Sequence, residues 1–376
     1  MAHAYTPGLR VSELTILRKE RTLPLKGEVV VKEGDSVRAD QVVARTELPG
    51  NVHSVNVANI LSVLPDEVPA KMEKKEGEPV QVDEILARSS SLFGLFKSVV
   101  KSPITGKVES ISHVTGQVLL REPSIPVEVD AYVDGKVVEV RPAEGVVVET
   151  HGAMIQGIFG IGGETFGTIE MAVASPEEIL DAGAISAQHA GKILIGGAMV
   201  TAAALAKAVS SGVRGIVSGG IDDATIKAFL GYEIGVAITG NEEKGLTLVI
   251  TEGFGRIRMA EATFLLFKSL VGRKASMNGA TQIRAGVIRP EVVVPQLDRQ
   301  AKGGPVSEVV AGGLEVGTKV RVIREPYFGR LGRVIELPAP LEKLTSETMV
   351  RVLRVELEGD KKQHVLPRAN VEIIEH

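Results

Sequence analysis

The chain has no cysteine and no tryptophan among its 376 residues, and aromatic side chains make up only 3% of it. The first absence rules out disulfide staples, thiolate zinc sites, cysteine nucleophiles and cysteine-ligated iron–sulfur clusters, and it fits a cytosolic protein. Redox chemistry would need a borrowed cofactor. With so few rings there is little platform for stacking bases. An excess of charge of one sign is also missing: 43 Lys and Arg face 47 Asp and Glu, a net charge of -4, so any attraction for phosphate backbones has to be local.

Long apolar runs are absent as well. The longest, residues 193–206, stops at Lys207, short of the roughly 18 residues a bilayer-spanning helix needs. The N-terminal stretch MAHAYTPGLRVSELTILRKER holds no apolar segment of signal-peptide length. The expectation is a cytoplasmic protein without a membrane span. There is no Walker A sequence, no G-x-S-x-G elbow and no H-E-x-x-H, and His113, His151 and His189 share no ligand spacing. No metal, no cofactor and no catalytic residue is therefore assigned.

What is present begins with a repeat. Residues 32–45, KEGDSVRADQVVAR, are echoed by residues 75–88, KEGEPVQVDEILAR. Each copy sets an acidic–glycine turn before a valine, then a polar turn, then a short apolar strand ending in Ala-Arg. That echo predicts a pseudo-twofold β architecture. From residue 12 to residue 170 the chain reads as short strands between Gly, Pro and Asp turns, with helical periodicity only at 91–100. Segments 102–111, SPITGKVESI, and 115–121, TGQVLLR, are strands hinged by glycines. Glycine-rich 157–167 reads as turn chemistry rather than a phosphate loop, because no helix follows at once.

The repeat followed by SPITGKVESI and GQVLLR resembles the barrel-sandwich hybrid fold of biotinyl and lipoyl carrier domains. The region that would carry their attachment lysine reads TELPGNVHSVNV (46–57) and has no lysine, so the resemblance implies the fold and not the attachment. The layout is also similar to the N-terminal regions of the large soluble subunits of bacterial ion-translocating NADH and ferredoxin dehydrogenases, whose iron–sulfur half has no counterpart here.

From residue 175 the period changes. Ser175-Pro176-Glu177-Glu178 reads as a helix start, 192–197 as a buried strand, 200–210 as an Ala-rich helix, 215–220 as a second strand and 222–230 as a helix. Together these make a βαβ unit. Further strands are read at 235–239 and 246–251 in a small mixed sheet, then a helix at 256–271 and a strand returning within 282–295. The expected organisation is α+β and multidomain: a β domain at 1–174, a mixed α/β domain at 175–297, a linker at 298–313 and a β-barrel at 314–376.

Within 317–374, GTKVRVIREPYFGRLGRVIEL, a spacer and MVRVLRVELEGDKKQHVLPRANVEII resemble the KOW motif and its SH3-like barrel, found in ribosomal proteins and NusG-type transcription factors. Lys319, Arg321, Arg324, Arg330 and Arg333 make a basic strip against Glu325 alone, with Tyr327 and Phe328 at the turn. The strip suits RNA or a ribonucleoprotein; the plainer reading is aromatics that cap a barrel and solvated arginines.

In the α/β part, glycine-rich turns follow each predicted strand: Gly196-Gly197, Gly219-Gly220 with Asp222 and Asp223, Gly240-Asn241, and Glu252-Gly253-Phe254-Gly255. Open α/β sheets bind ligands at the carboxyl ends of strands, so these residues are the candidate small-molecule site. The plainer reading is tight turns, with Asp222 as a helix cap. Two functions follow: a non-catalytic cytosolic adaptor or assembly factor docking on a protein or ribonucleoprotein partner through the C-terminal barrel, or a nucleotide- or anionic-metabolite-binding enzyme or cofactor-handling protein using the glycine-rich crevice.

Overall fold

A computed structural model describes residues 9–91, 96–232, 244–281, 288–301, 314–322, 326–327, 330–343, 349–357, 359–360 and 362–373. It is a multi-sheet, β-rich protein with few short helices and a mixed central sheet. The central sheet has eleven strands and draws them from both sides of residue 174.

The repeat is a repeat in three dimensions. In each copy a lysine N–H donates to the acid three residues on, Lys32 to Asp35 (2.9 Å) and Lys75 to Glu78 (3.0 Å). The following glycine has a left-handed backbone, φ 94° at Gly34 and 87° at Gly77, which only glycine adopts freely. Its N–H then donates to a strand across the module, Gly34 to Val137 O (2.8 Å) and Gly77 to Val108 O (2.7 Å). Those acceptors lie in a second repeated stretch, VDGKVVEV (133–140) and ITGKVESI (104–111). Gly135 and Gly106 are equivalent here, since a Cβ on either would meet a neighbouring strand's carbonyl, Glu149 O at 2.3 Å or Arg121 O at 2.0 Å.

The two β modules are nested. The inner one runs from Val52–Asn56 to Gln117–Arg121, and the outer one is built from the chain before and after it. Val42–Leu48 of the outer module pairs antiparallel with Ile125–Asp130, as Ile85–Ser91 of the inner one pairs with Phe96–Lys101. The inner core holds Val80, Leu86, Val108, Val118 and Leu120; the outer holds Val37, Val43, Val133, Val137 and Val148. The helix read at 91–100 is thus corrected: the described parts of that segment are strand, because the module needs a second hairpin where its twin has Val42–Leu48 and Ile125–Asp130.

One strand ties the outer module to the central sheet. Gly145–Gln156 pairs with Val11–Thr22 along nearly its whole length. On its other side its first half pairs with Gly135–Arg141 and its second with Glu291–Pro295. Beyond lie Lys274–Asn278, Glu164–Met171, Lys192–Ile195, Gly215–Ile221 and Thr247–Phe254, the last four mutually parallel. Helices Ala202–Ser210 and Asp223–Leu230 cover one face through Leu205, Ala208, Ile226 and Leu230 against Leu194, Ile216 and Leu248. Helix Glu261–Ser269 covers the other through Phe264 and Phe267 against Ile193, Ile195 and Met277.

The βαβ expectation is realised by Lys192–Ile195, the helix Ala202–Ser210 and Gly215–Ile221, whose two strands are parallel neighbours. Thr201 and Asp222 cap their helices, accepting from Ala204 N (3.1 Å) and Thr225 N (2.7 Å), each contact contributing about 1 kcal/mol. The strand read at 235–239 and residues 282–287 of the returning segment lie outside the described residues. Two helix readings are corrected. Residues 175–178 form a turn leading into the short strand Ile179–Leu180, with the Glu178 carboxylate accepting from Ala174 N (3.3 Å). The last helix is Glu261–Ser269 rather than 256–271, because the preceding residues are drawn out across the strand ends.

The C-terminal residues make a separate five-stranded antiparallel sheet around Val320, Val334, Leu353, Val355 and Leu357. Its first strand, Lys319–Val322, pairs with both the second, Leu331–Glu336, and the last, Val371–Ile373.

Candidate functional site

The strand-end glycines do come together, and what fills the space between them is the protein's own backbone. A Cβ on Gly197 would meet Glu178 O at 2.4 Å and Ser175 O at 2.7 Å; on Gly219, Ile257 O at 2.3 Å; on Gly220, Gly255 O at 2.0 Å. The chain after Gly255 lies across the strand ends like a bar: Gly255 N donates to Ile221 O (2.7 Å), Ile257 N to Ala198 O (3.1 Å) and Met259 N to Pro176 O (3.3 Å). Gly219 N donates to Gly197 O (2.8 Å), so this N–H is spent within the protein. Gly196 packs on the Leu180 side chain, while Gly253 (φ 148°) and Gly255 (φ 98°) turn the chain in backbone regions open to glycine.

Asp222 is a helix cap and Asp223 stands in the first turn of that helix. Gly240 and Asn241 lie outside the described residues. The glycines thus serve close backbone approach more than helix entry, a distinction that single-sequence spacing does not carry.

Glu252 has a different fate. One carboxylate oxygen accepts from Ala260 N at 2.9 Å, holding the entry to the last helix. The other lies 3.8 Å from an Arg321 guanidinium nitrogen, with the two side chains 2% and 8% exposed respectively. A residue from each candidate set, strand-end crevice and basic strip, therefore meets in one buried pair that joins the C-terminal sheet to the carboxyl end of Thr247–Phe254.

The rest of the strip divides. Lys319 faces Arg333 across the first two strands, and Arg333 is exposed with one nitrogen on Gly317 O (3.0 Å). Arg330 is half-buried. Tyr327 packs on the sheet's core and edge-on against His364 (4.6 Å between ring centres), which makes it a cap of the fold. Backbone donation from Lys362 and the His364 ring together lower the Asp360 pKa. Arg324 and Phe328 lie outside the described residues.

The sequence reading missed a polar junction between the outer module and the central sheet. Lys19 Nζ and Glu291 are 2.7 Å apart, with the residues 8% and 9% exposed. Arg21 grips Glu164 with two 2.7 Å bonds, donates from Nε to Asp130 O (2.6 Å) and sits 5.3 Å from the Tyr132 ring centre. Tyr132 is 1% exposed and has a left-handed φ of 69°. Burial first, then the Glu291 and Glu164 charges, push its pKa well above the ordinary phenol value. Burial also raises the Asp130 pKa, against the pull of Arg21.

The alternation of Leu17, Lys19 and Arg21 was the signal for this junction. Arg18 and Glu20 on the opposite face hid it, because both faces of the strand then read as charged.

The sign of the tyrosine effect is fixed. The folded state keeps a proton that the unfolded chain releases, so the stability it contributes is complete below the ordinary value of 10.0 and is lost as pH rises above it. Tyr132→Phe is expected to flatten the alkaline limb of a plot of urea midpoint against pH; an unchanged limb would remove Tyr132 from the linkage.

Among the described residues no cluster of three or more His, Asp or Glu is placed to hold a metal ion, and no helix is long and apolar enough to cross a membrane. No protein-family model matches the sequence, and comparison with curated proteins finds no match.

Proposed function

We propose that this chain is a non-catalytic cytosolic adaptor that docks on a protein or ribonucleoprotein partner through its C-terminal sheet. The observation that carries the reading is the filled crevice. The place where an open α/β sheet would take a nucleotide is occupied by residues 175–178 and 255–259, and Glu252 is engaged by Ala260 N and Arg321. In this reading the nested pair are barrel-sandwich hybrid modules, supported by the doubled turn geometry. The C-terminal sheet is an SH3-like barrel of KOW type, supported by a strand path whose last member returns beside the first. A Cβ on Gly332 would press on Glu356 O and Val355 at 2.7 Å, the close strand approach that a small barrel requires.

Arg321, buried against Glu252, belongs to the internal joint, which leaves Lys319, Arg330 and Arg333 as the contact strip. The test is an affinity purification of the full-length protein beside its Arg330→Ala/Arg333→Ala variant, with a salt wash. The expected result is a partner retained by the parent, released by salt and reduced several-fold in the variant. Equal retention by both proteins would move the contact off this strip.

A further inference from the structure

A cleft of about 250 Å³ opens between the turns of the outer module and the central sheet, away from the strand-end glycines. Its sheet wall is set by register. Thr168 stands directly opposite Lys274, and Phe166 opposite Ser276, so all four side chains share one face of an antiparallel pair with opposed Cβ atoms about 5 Å apart. The other wall comes from the second polar turn of the first repeat copy and the start of the second repeated stretch, through Asp40 and Asp134.

The polar groups at the sheet wall are unspent. Ser276 is 1% exposed, yet its side chain lines the cleft, and its hydroxyl and that of Thr168 make no hydrogen bond among the described residues. Lys274 is exposed and has no ion-pair partner among them. One ammonium and two hydroxyls therefore converge, three donors around a space that suits two carboxylate oxygens. On the opposite side the charge reverses. Asp134 uses one oxygen on Ala39 N (2.7 Å), and Asp40, one of whose oxygens accepts from Arg38 Nε (3.2 Å), lines the mouth. Phe166 and Pro295 supply apolar wall between the two ends.

We propose that this cleft binds a small zwitterion, with its carboxylate on Lys274, Ser276 and Thr168 and its ammonium on Asp40 and Asp134. The site lies where the outer module meets the central sheet, so an occupant would brace that junction and bind the folded state alone.

The experiment is isothermal titration calorimetry of the full-length protein with glycine, 4-aminobutyrate and 6-aminohexanoate, which grade the separation of the two charges. Acetate and butylamine serve as single-ended controls. The expected result is saturable binding of at least one zwitterion in preference to both controls, weakened about tenfold or more in Lys274→Met and also in Asp40→Asn. Both substitutions change exposed side chains, and their urea midpoints report that the fold is kept. Absence of binding by all three zwitterions, equal binding of acetate, or unchanged affinity in Lys274→Met overturns the proposal.

Discussion

Gly220→Ala is expected to destabilise the protein by about 3 kcal/mol, the upper range for overpacking a tight interior, while Gly163→Ala changes stability by less than about 1 kcal/mol. A single added methyl group meets opposite surroundings at the two sites. At Gly220 it would lie 2.0 Å from Gly255 O and 3.0 Å from Ala198 O and Ile257 N, backbone atoms of residues held across the strand ends by the bonds Gly255 N→Ile221 O and Ile257 N→Ala198 O. At Gly163 nothing stands within 4 Å. Backbone cannot swing away as the end of a flexible side chain can, so the bar formed by 255–259 must shift and give up Gly255 N→Ile221 O or Ile257 N→Ala198 O. Urea midpoints at constant m report the difference. Were these glycines instead the floor of an open ligand site, Gly220→Ala would leave stability near that of the parent.

Lys19→Met and Glu291→Leu are each expected to cost about 3–5 kcal/mol, and the double variant to recover most of that loss. Each single change strands a charge in a place that is 8–9% exposed by taking away the opposite charge 2.7 Å from it. Removing both leaves apolar side chains next to Leu17, Met154 and Val293 of the outer core. A double-mutant cycle read by urea denaturation measures the coupling; additive losses would show that the two side chains act independently. The pair joins Val11–Thr22 to Glu291–Pro295, strands far apart in sequence, so the coupling also measures how firmly the chain's first strand is held to the central sheet.

Much of the β organisation was legible because turns announce themselves. KEGD and KEGE marked equivalent glycines and equivalent hydrogen bonds, and Lys192–Ile195, Ala202–Ser210 and Gly215–Ile221 followed from periodicity and caps. The nesting was written in the sequence too, in ITGKVESI and VDGKVVEV, but a copy inserted into its twin separates matching halves by unequal distances and hides the symmetry. The single central sheet was not legible. Gly145–Gln156 reads as one more β segment, and nothing local says that its first half faces Gly135–Arg141 and its second Glu291–Pro295.

At the candidate site the residue types were visible and their use was not. Glycine spacing is the same whether a phosphate or a neighbouring backbone occupies the space. Glu252 and Arg321 were separately conspicuous, and only tertiary structure pairs them. Ser276 and Lys274 gave no signal at all, because a hydroxyl and an ammonium two residues apart on a strand look like ordinary surface until the opposite wall is in place.

The most direct test of the adaptor reading is native mass spectrometry of the full-length protein purified at low salt and again after a high-salt wash. The predicted result is a protein or ribonucleoprotein partner present before the wash and stripped by it, with no nucleotide in either sample. A nucleotide retained at one per chain through the wash would contradict the filled crevice and make the protein a cofactor-handling one.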